Sequence, residues 1–385
     1  MFENETTFIL GAGASWHYGY PTGIELIKEV KKFAFEQSTI PMSAEQKHKR
    51  PNFSEYDFSW APKGGNNNHY WDLYSKKMEE LYKKINTLNP LVIDYFLKEN
   101  EDVADAGRYA IAYILLRCER SFTKYKYNFN SLKFKCESDK RSAIEYFQEE
   151  DDWYRFLLDK IIRDCHHIDD LCSKNRINII TFNYDISLEA RLYESLSRIK
   201  MFENQYERIK EFIESIIFHV YGSLRDDFTS LNEEEDIFKS ASEIAHRLRL
   251  VHPKIELKDN CEQFYANLAE KLKSSERIFF LGFGFDKNNS DLIGVFKIFT
   301  SGTKIQNINF INFENHNRIN KLISDLLPCK EDTSVRKIIY ENAGGVFSLI
   351  LSFKNPNGGI EKKFTFWVEK SIRSVYEALE KDFVL

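Results

Sequence analysis

Asn183, Asp185, His219 and Tyr221 fall in two short segments, TFNYD at 181–185 and HVYGS at 219–223. Each segment closes an apolar run that reads as a buried strand. A carboxamide, a carboxylate, an imidazole and a phenol are groups that hold ligands or move protons. At the carboxyl ends of parallel strands they would stand where open α/β sheets bind their ligands. On an extended strand His219 and Tyr221, two residues apart, would face the same side. Structural readings stay open beside these. Asp185 is well placed to cap the following helix, with Glu189 a little further on. Asn183 can shape a turn, and a strand histidine is often a hydrogen-bonded core residue.

Two glycine segments complete the set. GAGAS, with Gly11, Ala12, Gly13 and Ser15, follows the apolar residues 7–10 and precedes a helix-like stretch. Small residues there let a backbone approach a ligand, and N–H groups at a helix start attract a pyrophosphate. The spacing is not G-x-G-x-x-G, and no clean acid follows about 20 residues on, so a plain turn remains the alternative. In LGFGFDKNN the glycines Gly282 and Gly284 permit close approach, and Asp286 or Asn289 could reach a ribose hydroxyl; an ordinary turn into a helix is the other reading. Asn312 interrupts a last apolar run, FINF. One shared ligand groove accounts for polar or glycine features at all five strand ends.

The elements that must position these groups are legible from periodicity. Residues 7–10, 177–182, 216–220, 278–281 and 308–313 read as buried strands, continuous and apolar as parallel strands are. Helical patterns lie between them. Ile24, Ile27, Val30 and Phe33 recur on one face after the first loop, and 187–200, 261–273 and 317–327 are further helices. Alternating strands and helices imply an α/β fold with a Rossmann-like, largely parallel sheet. The first gap is far longer than an ordinary crossover. Within it 79–100, 103–122 and 143–165 read as helices, and 41–75, with its GGNNN turn cluster, as an irregular loop. The expected domains are therefore a Rossmann-like part at 1–40 and 166–330, a large helical insertion at 41–165, and a small C-terminal hairpin plus helix at 331–385. In the last part, 345–353 and 362–369 flank the turn NPNGG, and 371–382 closes the chain. The acidic run 233–236 reads as a solvated loop.

With 54 Lys and Arg against 59 Asp and Glu, the 385-residue chain has a formal net charge of −5. That argues against direct nucleic-acid binding, which needs a basic surface. At 43% hydrophobic residues, with 32 Phe and 20 Tyr, the chain can fill a large aromatic core. The opening MFENETTFIL reads as neither signal peptide nor membrane span. None of the six cysteines forms a C-x-x-C pair. No metal site is expected, and the thiols read as reduced, in a cytoplasmic protein.

Taken in order, GAGAS…YPTG, TFNYD, HVYGS and GFGFD…N resemble the sirtuin-like family, and most closely its bacterial antiviral-defence branch. The resemblance implies an NAD site. Gly11, Ala12, Gly13 and Ser15 would cradle the diphosphate, Asn183 would lie beside the nicotinamide ribose, and Asp185 near the carboxamide. Gly282, Phe283 and Asn312 would line the adenosine side, with Thr22, Tyr221 and Asn289 as further binding residues. Deacetylating sirtuins carry a four-cysteine zinc module and an arginine after the first loop; this chain has no cysteine pair and reads Pro21-Thr22-Gly23. Their catalytic histidine stands directly before a glycine, where this chain has Tyr221. His219, two residues earlier, is the base expected here.

The resemblance thus implies an NAD+ hydrolase that releases nicotinamide and ADP-ribose, with NAD+ as substrate. Asn183 would orient the water and His219 take a proton from it or from a ribose hydroxyl. The implied setting is antiviral defence by NAD depletion, regulated by homo-oligomerisation or docking on a HerA-type hexameric ATPase. A non-catalytic module that senses NAD or ADP-ribose is the alternative.

Overall fold

The computed structural model describes residues 1–39, 67–125, 152–229, 236–248, 260–295, 307–311, 333–341, 346–353 and 360–367. The central strand is β1 (Thr6–Leu10), flanked in parallel by β2 (Ile177–Thr181) and β4 (Arg277–Leu281). Outside these lie β3 (Ile217–His219), against β2, and β5 (Asn307–Ile311), against β4, both again parallel. The order β3-β2-β1-β4-β5 makes a Rossmann-like α/β sheet. β1 and β2 are buried along their whole length, as an apolar strand covered on both faces must be. Phe8 and Phe279 stack across the β1–β4 pair at 5.0 Å between ring centroids.

Register matters most for function. Leu10 pairs with Thr181 and with Leu281, Thr181 with His219, and Leu281 with Ile311. The row His219–Thr181–Leu10–Leu281–Ile311 therefore crosses the sheet at one level. Everything that follows these residues emerges on the same edge.

Helix α1 (Gly23–Thr39) buries Leu26, Ile27, Val30, Phe33 and Ala34. Ile24, expected on that face, is 49% exposed. A strict step of three drifts off a stripe that repeats every 3.6 residues. The described residues between α1 and β2 form α2 (Asn67–Leu88), α3 (Ile93–Glu99), α4 (Glu101–Tyr125), α5 (Trp153–Ile162) and α6 (Ile168–Lys174). The expected helix at 79–100 divides at Asn89, whose φ of 44° is left-handed and whose N–H caps Ile85; Pro90 follows and cannot continue the helix. The expected loop at 41–75 yields to helix from Asn67 onward. Tyr70, Trp71, Tyr74, Met78, Leu81 and Ile85 recur at helical spacing and are buried there, so the apolar stripe outweighs the turn-forming asparagines.

After β2 come α7 (Ser187–Ser197), α8 (Tyr206–Ile216), α9 (Ile237–Ile244), α10 (Asn260–Ser274) and α11 (Lys287–Leu292). Asp236, read as part of a solvated loop, caps α9 by accepting from the Phe238 and Lys239 amides. The C-terminal hairpin is β7 (Val346–Phe353) with β8 (Ile360–Trp367), antiparallel as expected. β8 lies parallel to β5, and β6 (Thr333–Glu341) adds a further antiparallel strand against β7. The sheet thus continues to eight strands, β3-β2-β1-β4-β5-β8-β7-β6. A bulge between Val335 and Lys337 breaks the alternation by which β6 would have been read. The expected helices at 317–327 and 371–382 lie outside the described residues.

Candidate functional site

The loops after β1 and β4 are pressed backbone to backbone. The Gly11 amide donates to the Leu281 carbonyl at 3.0 Å and the Gly13 amide to the Gly282 carbonyl at 3.2 Å. A Cβ on Gly11 would stand 2.7 Å from the Phe283 Cα, and one on Gly13 would stand 2.8 Å from the Gly282 Cα. Gly282 itself has φ +57 and faces the Gly13–Ala14 peptide. Close approach is what these glycines provide, as expected, but the partner observed is another loop of the same chain. The amides of Gly11, Gly13 and Ala14 all donate within the protein. Ala12 is half-buried between them.

Ser15 joins this loop to TFNYD. Its hydroxyl donates to Asp185 Oδ2 at 2.9 Å and receives the Asn183 Nδ2 at 3.2 Å. Asn183 Nδ2 also donates to the Gly11 carbonyl at 3.1 Å. Both amide hydrogens of Asn183 are thereby used, and its side-chain oxygen is the acceptor that remains for a ligand or a water. Asp185 is buried, and its other oxygen accepts from the Ser187 amide and hydroxyl. Burial raises its pKa, against the opposing pull of its two serine partners. Expected to cap α7, Asp185 accepts from the amide of the helix's first residue, while the N-cap position itself is Ile186. Both of its oxygens brace the loop crossing, so none is turned to a carboxamide.

His219 ends β3, and both ring nitrogens are engaged. Nδ1 lies 2.8 Å from the Asn183 carbonyl oxygen, and Nε2 is hydrogen-bonded to Glu189 Oε1 on α7. A carbonyl only accepts, so Nδ1 carries a hydrogen. Burial works against charge on the ring, but the Glu189 carboxylate and the Asn183 carbonyl together raise its pKa above the ordinary histidine value. Both ring nitrogens are thereby committed to oxygens of the protein, and neither is left for a substrate proton.

Tyr221 does not share those neighbours. It lies past the end of β3, where the chain turns, and its hydroxyl donates to Asn289 Oδ1 on α11. Its ring packs against Phe182 at 5.7 Å and near Tyr184 at 6.4 Å. Phe283 is buried against Phe182 at 5.0 Å. Thr22 stands at the start of α1, its N–H and hydroxyl both donating to Glu25 at 2.8 and 2.9 Å. Asn312 lies outside the described residues. Gly11, Gly13, Ser15, Asn183, Asp185 and His219 thus form one connected network, with Tyr221 and Asn289 as a second pair beside it.

The insertion reaches this network at several points that sequence reasoning missed. Trp153 Nε1 donates to the Ala14 carbonyl at 2.8 Å. Tyr154 meets Ser187 at 2.7 Å, and its ring stacks on Tyr18 at 3.8 Å. Tyr18 donates to Asp152 at 2.9 Å, and Arg191 of α7 pairs with the same carboxylate at 3.5 Å. On α3, Asp94 Oδ1 accepts from the Tyr184 hydroxyl at 3.1 Å. The acid–aromatic run DDWY at 151–154 was the one available signal for this docking surface; nothing local marks Asp94.

Compared with known proteins, the chain matches no family model and no curated protein. Among the described residues, no cluster of three or more His, Cys, Asp or Glu is placed to hold a metal ion. Among them, too, no helix is long and apolar enough to cross a membrane. Cys118, Cys165 and Cys172 form no disulfide.

Proposed function

We propose that this protein is an NAD+ glycohydrolase, releasing nicotinamide and ADP-ribose. The observation that carries the reading is the Gly11–Asn183–Ser15–Asp185 hydrogen-bond circuit at the carboxyl edge of β1 and β2. It holds the Asn183 carboxamide at the carboxyl end of the parallel strands, the edge on which open α/β sheets bind ligands, with its oxygen left to orient a water. The fit to a dinucleotide is partial. The glycine loops are thin enough for close approach, while their committed amides reduce the donors left for a diphosphate. Hydrolysis asks little more of such a site. The glycosidic bond breaks toward an oxocarbenium-like state, and a positioned water supplies the oxygen.

Action in antiviral defence by NAD depletion, homo-oligomerisation and a HerA-type ATPase partner are supported by the motif resemblance alone. One observation favours the second reading, a module that binds NAD or ADP-ribose without cleaving it: His219 has no nitrogen to spare for a proton. Nicotinamide release from NAD+ decides between them. The wild-type chain, alone or in its assembly, turns NAD+ over, and Asn183→Ala lowers kcat by about 10²-fold or more. Wild-type protein that binds ADP-ribose and releases no nicotinamide is a sensor.

A further inference from the structure

Asp94 belongs to the insertion, in the first turn of α3, yet it bonds to a residue of the loop after β2. Its Oδ1 receives the hydroxyl of Tyr184, the residue next to Asn183. The Tyr184 carbonyl in turn accepts from the Leu224 amide at 2.8 Å, so the loops after β2 and β3 are fixed together through the residue that Asp94 engages. Asp286, before α11, and Tyr221 both interact electrostatically with Asp94. Asp94 is thus a half-buried carboxyl bonded to the loop after β2, with Asp286 and Tyr221 within electrostatic range.

The other candidates for moving a proton are occupied. His219 is engaged at both nitrogens, Asp185 is braced on both oxygens, and the Tyr221 hydroxyl donates to Asn289. Resting on the hydrolase reading above, we propose that Asp94 is the proton acceptor of the reaction, supplied to the sirtuin-like edge by the helical insertion. The water oxygen bonds to the ribose C1′. The C1′–N bond breaks, and its electron pair leaves with the nicotinamide nitrogen, cancelling the positive charge there. The water proton passes to the Asp94 carboxylate and from it to solvent.

The environment suits the task. Burial is the main cause that raises the Asp94 carboxyl to about 6; the Tyr184 hydrogen bond opposes it and Asp286 adds to it. Tyr95 on α3, itself pushed up to about 12, and Tyr221 after β3 stay neutral, and Arg108 of α4 faces Tyr184. The His219 ring is committed on both nitrogens to the Asn183 carbonyl and Glu189, so the acidic limb of the rate belongs to Asp94.

The test follows nicotinamide release from NAD+ by the full chain between pH 5 and 9, with calorimetry of ADP-ribose binding alongside. Wild type shows kcat rising through about pH 6. Asp94→Asn lowers kcat by about 10²- to 10⁴-fold, keeps KM and ADP-ribose affinity within about threefold, and loses the acidic limb. Tyr184→Phe, which keeps the carboxyl but removes its donor, moves the limb upward by about one pH unit. Asp94→Asn with wild-type kcat and limb overturns the proposal, as does an unmoved limb in Tyr184→Phe should Asp94→Asn fail to fold. Wild type that binds ADP-ribose but releases no nicotinamide overturns the hydrolase reading itself, and is recognised because Asn183→Ala then behaves as wild type does.

Discussion

His219 holds the main chain of Asn183, its Nδ1 lying 2.8 Å from the Asn183 carbonyl oxygen while Nε2 engages Glu189. The histidine therefore ties β3, the TFNYD loop and α7 into one frame. Its influence on chemistry runs through the placement of Asn183. An imidazole held between a carbonyl and a carboxylate is a good strut and a poor base.

The strut has a measurable signature. His219→Ala leaves the Glu189 carboxylate, 7% exposed, buried without its hydrogen-bond partner, which costs about 3–5 kcal/mol. Glu189→Ala leaves the buried imidazole without its partner and costs a similar amount. Because both substitutions break one interaction, the double variant loses less than the two losses added, by about 2 kcal/mol or more. Urea denaturation of the four proteins measures this coupling, and additive losses would show the pair to be incidental.

The glycine contact between the β1 and β4 loops gives a second expectation. Gly282→Ala places a Cβ on a left-handed residue, against the Gly13–Ala14 backbone, which cannot swing aside as a side chain can. Strain and overlap together cost about 3 kcal/mol or more. Gly284→Ala, two residues on, has nothing within 4 Å and no positive φ, and stays within about 0.5 kcal/mol of wild type. Thermal melts of the two variants should separate widely. A well-behaved Gly282→Ala would mean that the loops can part, as a diphosphate seated between them would require.

How far the sequence could carry the argument follows from which features are local. The five core strands were legible because continuous apolar runs such as TTFIL and INIIT have few other uses. The motifs at their ends were legible for the same reason, since register then brings Leu10, Thr181, His219 and Leu281 level. The orientation of a side chain was not. His219 and Tyr221 share a face only while the strand lasts, and β3 stops at His219. The partners of Ser15 and Asn183 lie about 170 residues apart in the chain, beyond the reach of any spacing argument. Asp94 was invisible because its significance is entirely tertiary. It is one acid among many until α3 is set against Tyr184.

Asp94 should also reveal itself in stability, independently of any turnover. Its carboxyl titrates near 6 in the folded protein against 3.8 ordinarily. Between those values the folded state holds a proton that the unfolded chain has given up. The contribution is therefore complete below pH 4 and lost as pH rises through 6. At pH 8 the ionised, half-buried carboxylate costs as much as about 3 kcal/mol, less whatever solvent screening it retains. Asp94→Asn keeps an oxygen for the Tyr184 hydroxyl and carries no charge. It should therefore leave stability almost unchanged at pH 4 and raise it at pH 8, by up to that amount. Urea midpoints at the two pH values measure the difference directly. A variant that gains stability at alkaline pH while losing nicotinamide release would show a group held at a cost to folding for what it does at the sheet edge. Equal midpoints for wild type and variant at pH 8 would mean that the carboxylate is fully solvated, and so too weak a base near neutrality to serve as the proton acceptor.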